Sequence, residues 1–182
     1  MKKVLILFCF LLLNLNSFSQ VDKINNDNYH KNIYLELLGS HILVGVNFDM
    51  RLNKGQQDGI GFRAGIGGFS ATVIDQNTEI DIGVVTFPLE FNHLMGQRRS
   101  SFVAGVGILP VYVGGTIRGE LTDNKFVRAE GFGLVGGFLT FGYRLQPLNN
   151  GFMMQFNWNP LILRGSGFNP GWIGLGLGVG FK

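Results

Sequence analysis

The chain has 182 residues, 28 of them glycine, and only 15% are charged, well below the roughly one quarter usual in soluble domains. Its 15 basic residues stand against 12 acidic ones, and two of the basic ones, Lys2 and Lys3, lie in a leader, so the remainder is near neutral and nothing marks it for nucleic acid. Cys9 is the one cysteine, which excludes an internal disulfide and a thiolate metal site.

Met1-Lys2-Lys3 is basic, Val4–Leu13 is apolar, and Asn14–Gln20 is polar with small serines. That order reads as a cleaved secretory signal peptide over residues 1–19, too short in its apolar part to span a bilayer as a helix. Leu7 and Phe8 precede Cys9, which is not the small-residue setting of a lipoprotein cysteine. Residues 20–32, with Asn25, Asn26, Asp27 and Asn28 in a run, read as a short periplasmic lead-in.

From Ile33 onward eight segments alternate at period two, the signature of strands, because successive side chains point to opposite faces. The first, Ile33–Leu38, sets Ile33, Leu35 and Leu37 against Tyr34 and Glu36, and turns at Gly39-Ser40-His41. The second runs to Leu52 with Val44, Val46, Phe48 and Met50 opposite Gly45, Asn47, Asp49 and Arg51. The third sets Ile60, Phe62, Ala64 and Ile66 against Gly61, Arg63, Gly65 and Gly67. The fourth sets Val85, Phe87, Leu89 and Phe91 against Thr86, Pro88, Glu90 and Asn92. The fifth carries Phe102, Ala104, Val106 and Ile108 opposite Gly105 and Gly107; the sixth ends with Leu139, Phe141 and Tyr143 opposite Thr140, Gly142 and Arg144. Gly114–Glu130 between them reads as the longest loop. The seventh sets Phe152, Met154, Phe156 and Trp158 against Gln155 and Asn157. The last, Gly171–Lys182, places Ile173, Leu175, Leu177, Val179 and Phe181 on one face and four glycines on the other.

A glycine face packs nothing and costs entropy, so it belongs in a crowded interior. A bulky apolar face belongs outside only where the outside is lipid. The expected fold is therefore all-β: an eight-stranded antiparallel up-and-down transmembrane β-barrel over residues 33–182. Short turns after the second, fourth and sixth strands then face the periplasm, and Gly114–Glu130 faces out, where an extracellular ligand or partner would meet it. Pro88, Pro110 and Pro160 fall in or beside strands and require bulges or a place beyond the membrane rim. Asp81 shares the apolar face of the fourth strand and is expected above the lipid.

On the minority face the alternation puts Glu36, Asp49, Arg51, Arg63, Glu90 and Arg144, three acids and three bases. An eight-stranded barrel is just wide enough to be filled by side chains, and buried charges have to pair. These six are expected to form a salt-bridge network that plugs the lumen. Tyr112, Tyr143, Trp158 and Trp172 lie near strand ends, where aromatics suit membrane interfaces.

Catalytic and cofactor motifs are absent. Gly59–Ala64 matches a dinucleotide fingerprint in letters only, since its glycines continue at period two instead of opening a helix. His30, His41 and His93 are the imidazoles, and Ser40-His41 is the one place where rim chemistry on lipid would sit correctly. The expected function is non-enzymatic, without cofactor or metal. A lipid-modifying enzyme and a soluble, ligand-holding barrel of reversed polarity are the alternatives.

In Ile33–Gly39, Val46–Arg51, Phe62–Gly67, Gly105–Gly107, Phe141–Arg144 with Gln146-Pro147, and the terminal strand, the chain resembles the small outer-membrane β-barrel proteins common in Bacteroidetes-type bacteria. The resemblance implies a single barrel domain in the outer membrane. It also implies insertion by the assembly machinery, which recognises the last strand; here that strand ends in Phe181-Lys182 rather than on the aromatic itself.

Overall fold

The computed structural model describes residues 28–75, 78–96, 98–119 and 127–182. The signal-peptide expectation for residues 1–19, most of the lead-in, and the middle of the expected outer loop lie outside these residues. Eleven strands follow in chain order: β1 (Lys31–Leu38), β2 (Val44–Arg51), β3 (Gly59–Asp75), β4 (Thr78–Thr86), β5 (Leu89–Met95), β6 (Ser100–Gly119), β7 (Val127–Leu145), β8 (Gly151–Trp158), β9 (Leu161–Leu163), β10 (Gly167–Asn169) and β11 (Ile173–Phe181). The strand begins at Lys31, so Lys31 and Asn32 belong to the sheet and not to a lead-in; Asn32 is buried on the inner face.

All pairings are antiparallel and they close a ring. β1 pairs β2 and β11, β2 pairs β3, β3 pairs β4 and β5, and both of these pair β6. β6 pairs β7, β7 pairs β8, and β8 pairs β11. Counting β4 with β5 as one interrupted member, eight strands form the ring, which has no edges at that level.

Pro88, Pro110 and Pro160 sit where a member breaks or its register shifts. Phe87-Pro88 separates β4 from β5, and Asn159-Pro160 separates β8 from β9. Pro110 lies at the register shift between β6 and β7, where Leu109 faces Gly136 but Pro110 faces Leu134. A proline has no donor for the ladder, so these are the places a closed sheet tolerates it. Neighbouring backbone still finds partners there: Gly65 N–H donates to Pro88 O, Phe87 N–H to Pro110 O, and Leu139 N–H to Pro160 O.

The strands are unequal. β1, β2 and β8 have 8 residues each and β11 has 9, whereas β3, β6 and β7 have 17, 20 and 19. β3, β4, β6 and β7 therefore continue past the ring as a four-stranded sheet, at the end away from Lys182. This corrects the expected loop at Gly114–Glu130: β6 runs through Gly119 and β7 resumes at Val127. Alternation simply continues there with small and polar residues, which read as loop.

Candidate functional site

The inner face of the ring carries the chemistry. Outward residues are exposed and apolar: Leu35 47%, Val46 46%, Phe91 61%, Val106 60% and Phe156 53%. Inward residues are polar and sealed: Glu36, Asn47, Asp49, Arg51, Arg63, Thr140, Arg144 and Asn157 are all 0% exposed. This is the reverse of a protein folded in water.

Glycines make room for the long inward side chains. A Cβ on Gly61 would lie 2.1 Å from the Arg51 guanidinium, and one on Gly105 would lie 2.5 Å from Glu90 Oε1. On the last strand, a Cβ at Gly178 would meet Ile33 O and Tyr34.

The six charged residues expected inside all lie there, in three linked tiers. Near the chain ends, Asp49 accepts from Arg51 at 2.7 Å and from Arg144 at 3.0 and 3.1 Å. Asn92 also donates to Asp49 at 2.8 Å, and Arg51 donates on to Gly59 O at 3.0 Å. In the middle, Arg63 pairs with Glu90. Arg63 also donates to Tyr34 at 3.1 Å and to Glu36 at 3.4 Å, while Thr140 donates to Glu90 at 2.7 Å. At the far end, Glu36 accepts from Ser40 at 2.8 Å and from Asn47 at 3.1 Å. Charge balances within the network, three carboxylates against three guanidinium groups, as burial demands.

Above the charges, the lumen turns apolar. Leu109, Val111, Phe138 and Leu161 form a buried cluster, with Ile42, Val84, Val135, Leu163 and Trp172 packed around it. Arg63 lies 5.6 Å under the Phe138 ring, a cation–π contact that joins the two layers.

Sequence reasoning missed the neutral members: Tyr34, Asn47, Thr86, Asn92, Thr140, Gln155 and Asn157. For Tyr34, Asn47, Asn92 and Thr140 the signal was present, since each shares parity with a charged residue on its strand; β8, which carries Gln155 and Asn157, has no charged residue to mark its inner face. The aromatics divide. Tyr143 is 47% exposed and Trp158 44%, and Trp158 stacks obliquely on Phe141 at 5.7 Å. Tyr112 faces outward beside Phe132 and donates to Glu130 at 2.8 Å. Trp172 departs from the expected interface position. It packs against the inner apolar cluster and donates to Gly39 O.

Ser40 and His41 do not assemble a nucleophile and base. Ser40 donates to Glu36, while His41 contacts Thr86 and Asn47, and both residues are 0% exposed. Among the described residues no three metal-ligating side chains cluster.

No protein-family model matches the chain, and no curated protein does. Among solved structures it is similar to the N-terminal β-barrel domain of Pseudomonas aeruginosa OprF, at 12% identity and TM-score 0.49 over 86% of this chain and 97% of that one. A major outer membrane protein from Thermus thermophilus gives 13% identity and TM-score 0.49 over 85% and 99%. Ail, the attachment invasion locus protein of Yersinia pestis, gives 12% and 0.46 over 84% and 95%. Likeness at this level carries no activity across, and the chain's own geometry has to supply the reading.

Proposed function

We propose that this chain is an integral outer-membrane β-barrel protein with a side-chain-filled, non-conducting lumen, serving envelope structure or surface interaction rather than catalysis. One observation carries the reading: the closed ring shows its apolar side chains outward around its girth and buries three carboxylates and three guanidinium groups within. Only a lipid surround makes that arrangement stable. The basic and apolar leader supports export, and the pairing of the last strand with the first supports insertion through the outer-membrane assembly machinery. Membership of the small Bacteroidetes-type barrel family belongs to the same proposal.

The six charged residues act as a plug. Their tiers fill the ring from β1 around to β8, and the apolar cluster closes the far end above them. The four-stranded extension, with Thr72, Asp81, Thr116 and Glu130 on its outer side beyond Tyr112 and Phe132, is the part that reaches past the lipid. Any partner or ligand at 114–130 would meet the molecule there.

Envelope fractionation with boiled and unboiled gel mobility tests the placement. The expected result is an outer-membrane protein whose mobility shifts on boiling. Recovery as a soluble periplasmic protein without a shift would overturn it. Planar-bilayer recordings test the plug: a defined single-channel step would contradict it.

A further inference from the structure

The β1–β2 connection, Leu38–Leu43, folds into the mouth of the ring, and its backbone is strained in doing so. Leu38 has φ 59° with ψ −129°, and Ile42 has φ 74° with ψ −55°. Among the described residues these are the non-glycine positions of positive φ. For a β-branched residue such as Ile42 that is a genuine outlier, and it persists only where the surroundings over-determine it.

What over-determines it is the side chains the turn delivers. His41 sits in a socket made of glycines. A Cβ on Gly45, Gly65 or Gly67 would come within 2.3, 2.6 and 2.6 Å of the imidazole. Gly45 and Gly67 are direct partners across β2 and β3, so the missing side chains lie side by side. Glycine inside a strand costs stability, and here the cost leaves a space the ring fills. The His41 nitrogens meet Thr86 Oγ1 at 3.3 Å and Asn47 Oδ1 at 3.1 Å. Ser40 donates to Glu36 beside it, and Trp172 holds Gly39 O from above.

The charged groups facing His41 are Glu36 from β1, 3.8 Å away, and Arg63 from β3. β2 presents Asn47 and β4 presents Thr86, both neutral, and β11 places Gly174 against Gly39. Glu36 is already shared among Ser40, Asn47, Arg63 and Asn157. A sealed socket favours the neutral ring, whereas an unseated ring in water protonates at its ordinary pKa of about 6.5. The seated form therefore binds fewer protons, and acid favours release.

We propose that Gly39–His41 is an acid-released stopper at the far mouth of the barrel: neutral His41 in its glycine socket holds a strained turn shut. Protonation frees the turn to swing outward, exposing Glu36 and the upper lumen. The device stands on the turn and its socket and does not depend on which surface role the barrel has.

Trp172 reports the seat. In the full chain purified from the envelope in detergent, carrying Trp158→Phe, Trp172 emission is followed from pH 8 to pH 4.5. The expected result is a reversible red shift with its midpoint at or below about pH 6.5, while unboiled gel mobility stays that of the folded barrel. His41→Gln keeps a hydrogen-bonding side chain but takes no proton, and is expected to abolish the shift. Gly45→Ala places a Cβ 2.3 Å from the seated imidazole, which weakens the seat, and is expected to move the midpoint toward neutral pH. Emission that is flat in the parent chain, or the same shift in His41→Gln, overturns the stopper. Should His41→Gln fail to fold, an unchanged midpoint in Gly45→Ala does so.

Discussion

Glycine has two distinct uses in this chain, and they predict opposite outcomes for the same substitution. A Cβ at Gly178 would lie 2.1 Å from the backbone oxygen of Ile33, whereas one at Gly131 would meet nothing within 4 Å. Gly178→Ala should cost about 1–3 kcal/mol, as overpacking does. Gly131→Ala should gain about 0.5–1 kcal/mol, because it removes only unfolded-state freedom. Urea unfolding of the two variants in lipid vesicles measures both. The alternation showed which glycines face inward, but not which of them are crowded; that depends on side chains from the facing wall. The same holds for the charges. Their side of each strand was legible from Asp49, Arg63 and Glu90, while the pairing of Asp49 with Arg144, 95 positions away, required ring closure. Glu90→Ala should destabilise the barrel by about 3–5 kcal/mol, since it strips Arg63 of its shortest carboxylate contact in a sealed interior. Unchanged thermal resistance of the unboiled band would count against the network. His30, just before β1, is buried, and that burial, with Lys182 and Arg51 nearby, lowers its pKa from 6.5 to about 4. Between those values the folded state binds fewer protons than the unfolded one, so stability rises with pH. Its contribution is present above about pH 6.5 and is lost as pH falls toward 4. His30→Gln should flatten that part of the stability profile, measured as the urea midpoint against pH.

At the scale of the element, breaks carry as much information as strands. Pro88, Pro110 and Pro160 were legible as places where a strand could not stay regular. They separate β4 from β5, mark the β6–β7 bulge, and separate β8 from β9. What the residues could not convey is that β4 and β5 share both neighbours and so count as one ring member. The expected outer loop was misread for a related reason. Gly114, Gly115, Thr116 and Arg118 look like loop by composition, but backbone pairing with β4 keeps them in strand, and β7 pairs the first three. Height along a strand then decides what the solvent is. Val106, 60% exposed, faces outward in the ring, and Ile74, 78% exposed, faces outward near the tip of β3. Val106→Lys should cost about 2–4 kcal/mol in a bilayer, as a cation near the midplane does. Ile74→Lys should be close to neutral. Equal effects at the two heights, read by unfolding in vesicles, would mean that the band of lipid contact is drawn in the wrong place.

For the whole molecule, inverted polarity is the central claim: apolar residues outward, paired charges within, and a sheet without edges around the girth. The last strand alone announced it, with Ile173 to Phe181 alternating against four glycines, because such a strand fits water poorly and fits lipid well. The projecting sheet was not announced, since its extent depends on how far β3, β4, β6 and β7 go on pairing after β1, β2 and β8 have stopped. The most direct test is depth-resolved quenching. A single tryptophan is placed by Val106→Trp in a chain whose Trp158 and Trp172 are replaced by phenylalanine, and the protein is reconstituted into vesicles of lipids brominated along the acyl chain. Strong quenching by bromines deep in the acyl chain is the predicted result. A chain that stays in solution without detergent, with that tryptophan unquenched and shielded from water, would show the barrel to be turned inside out from the structure described here.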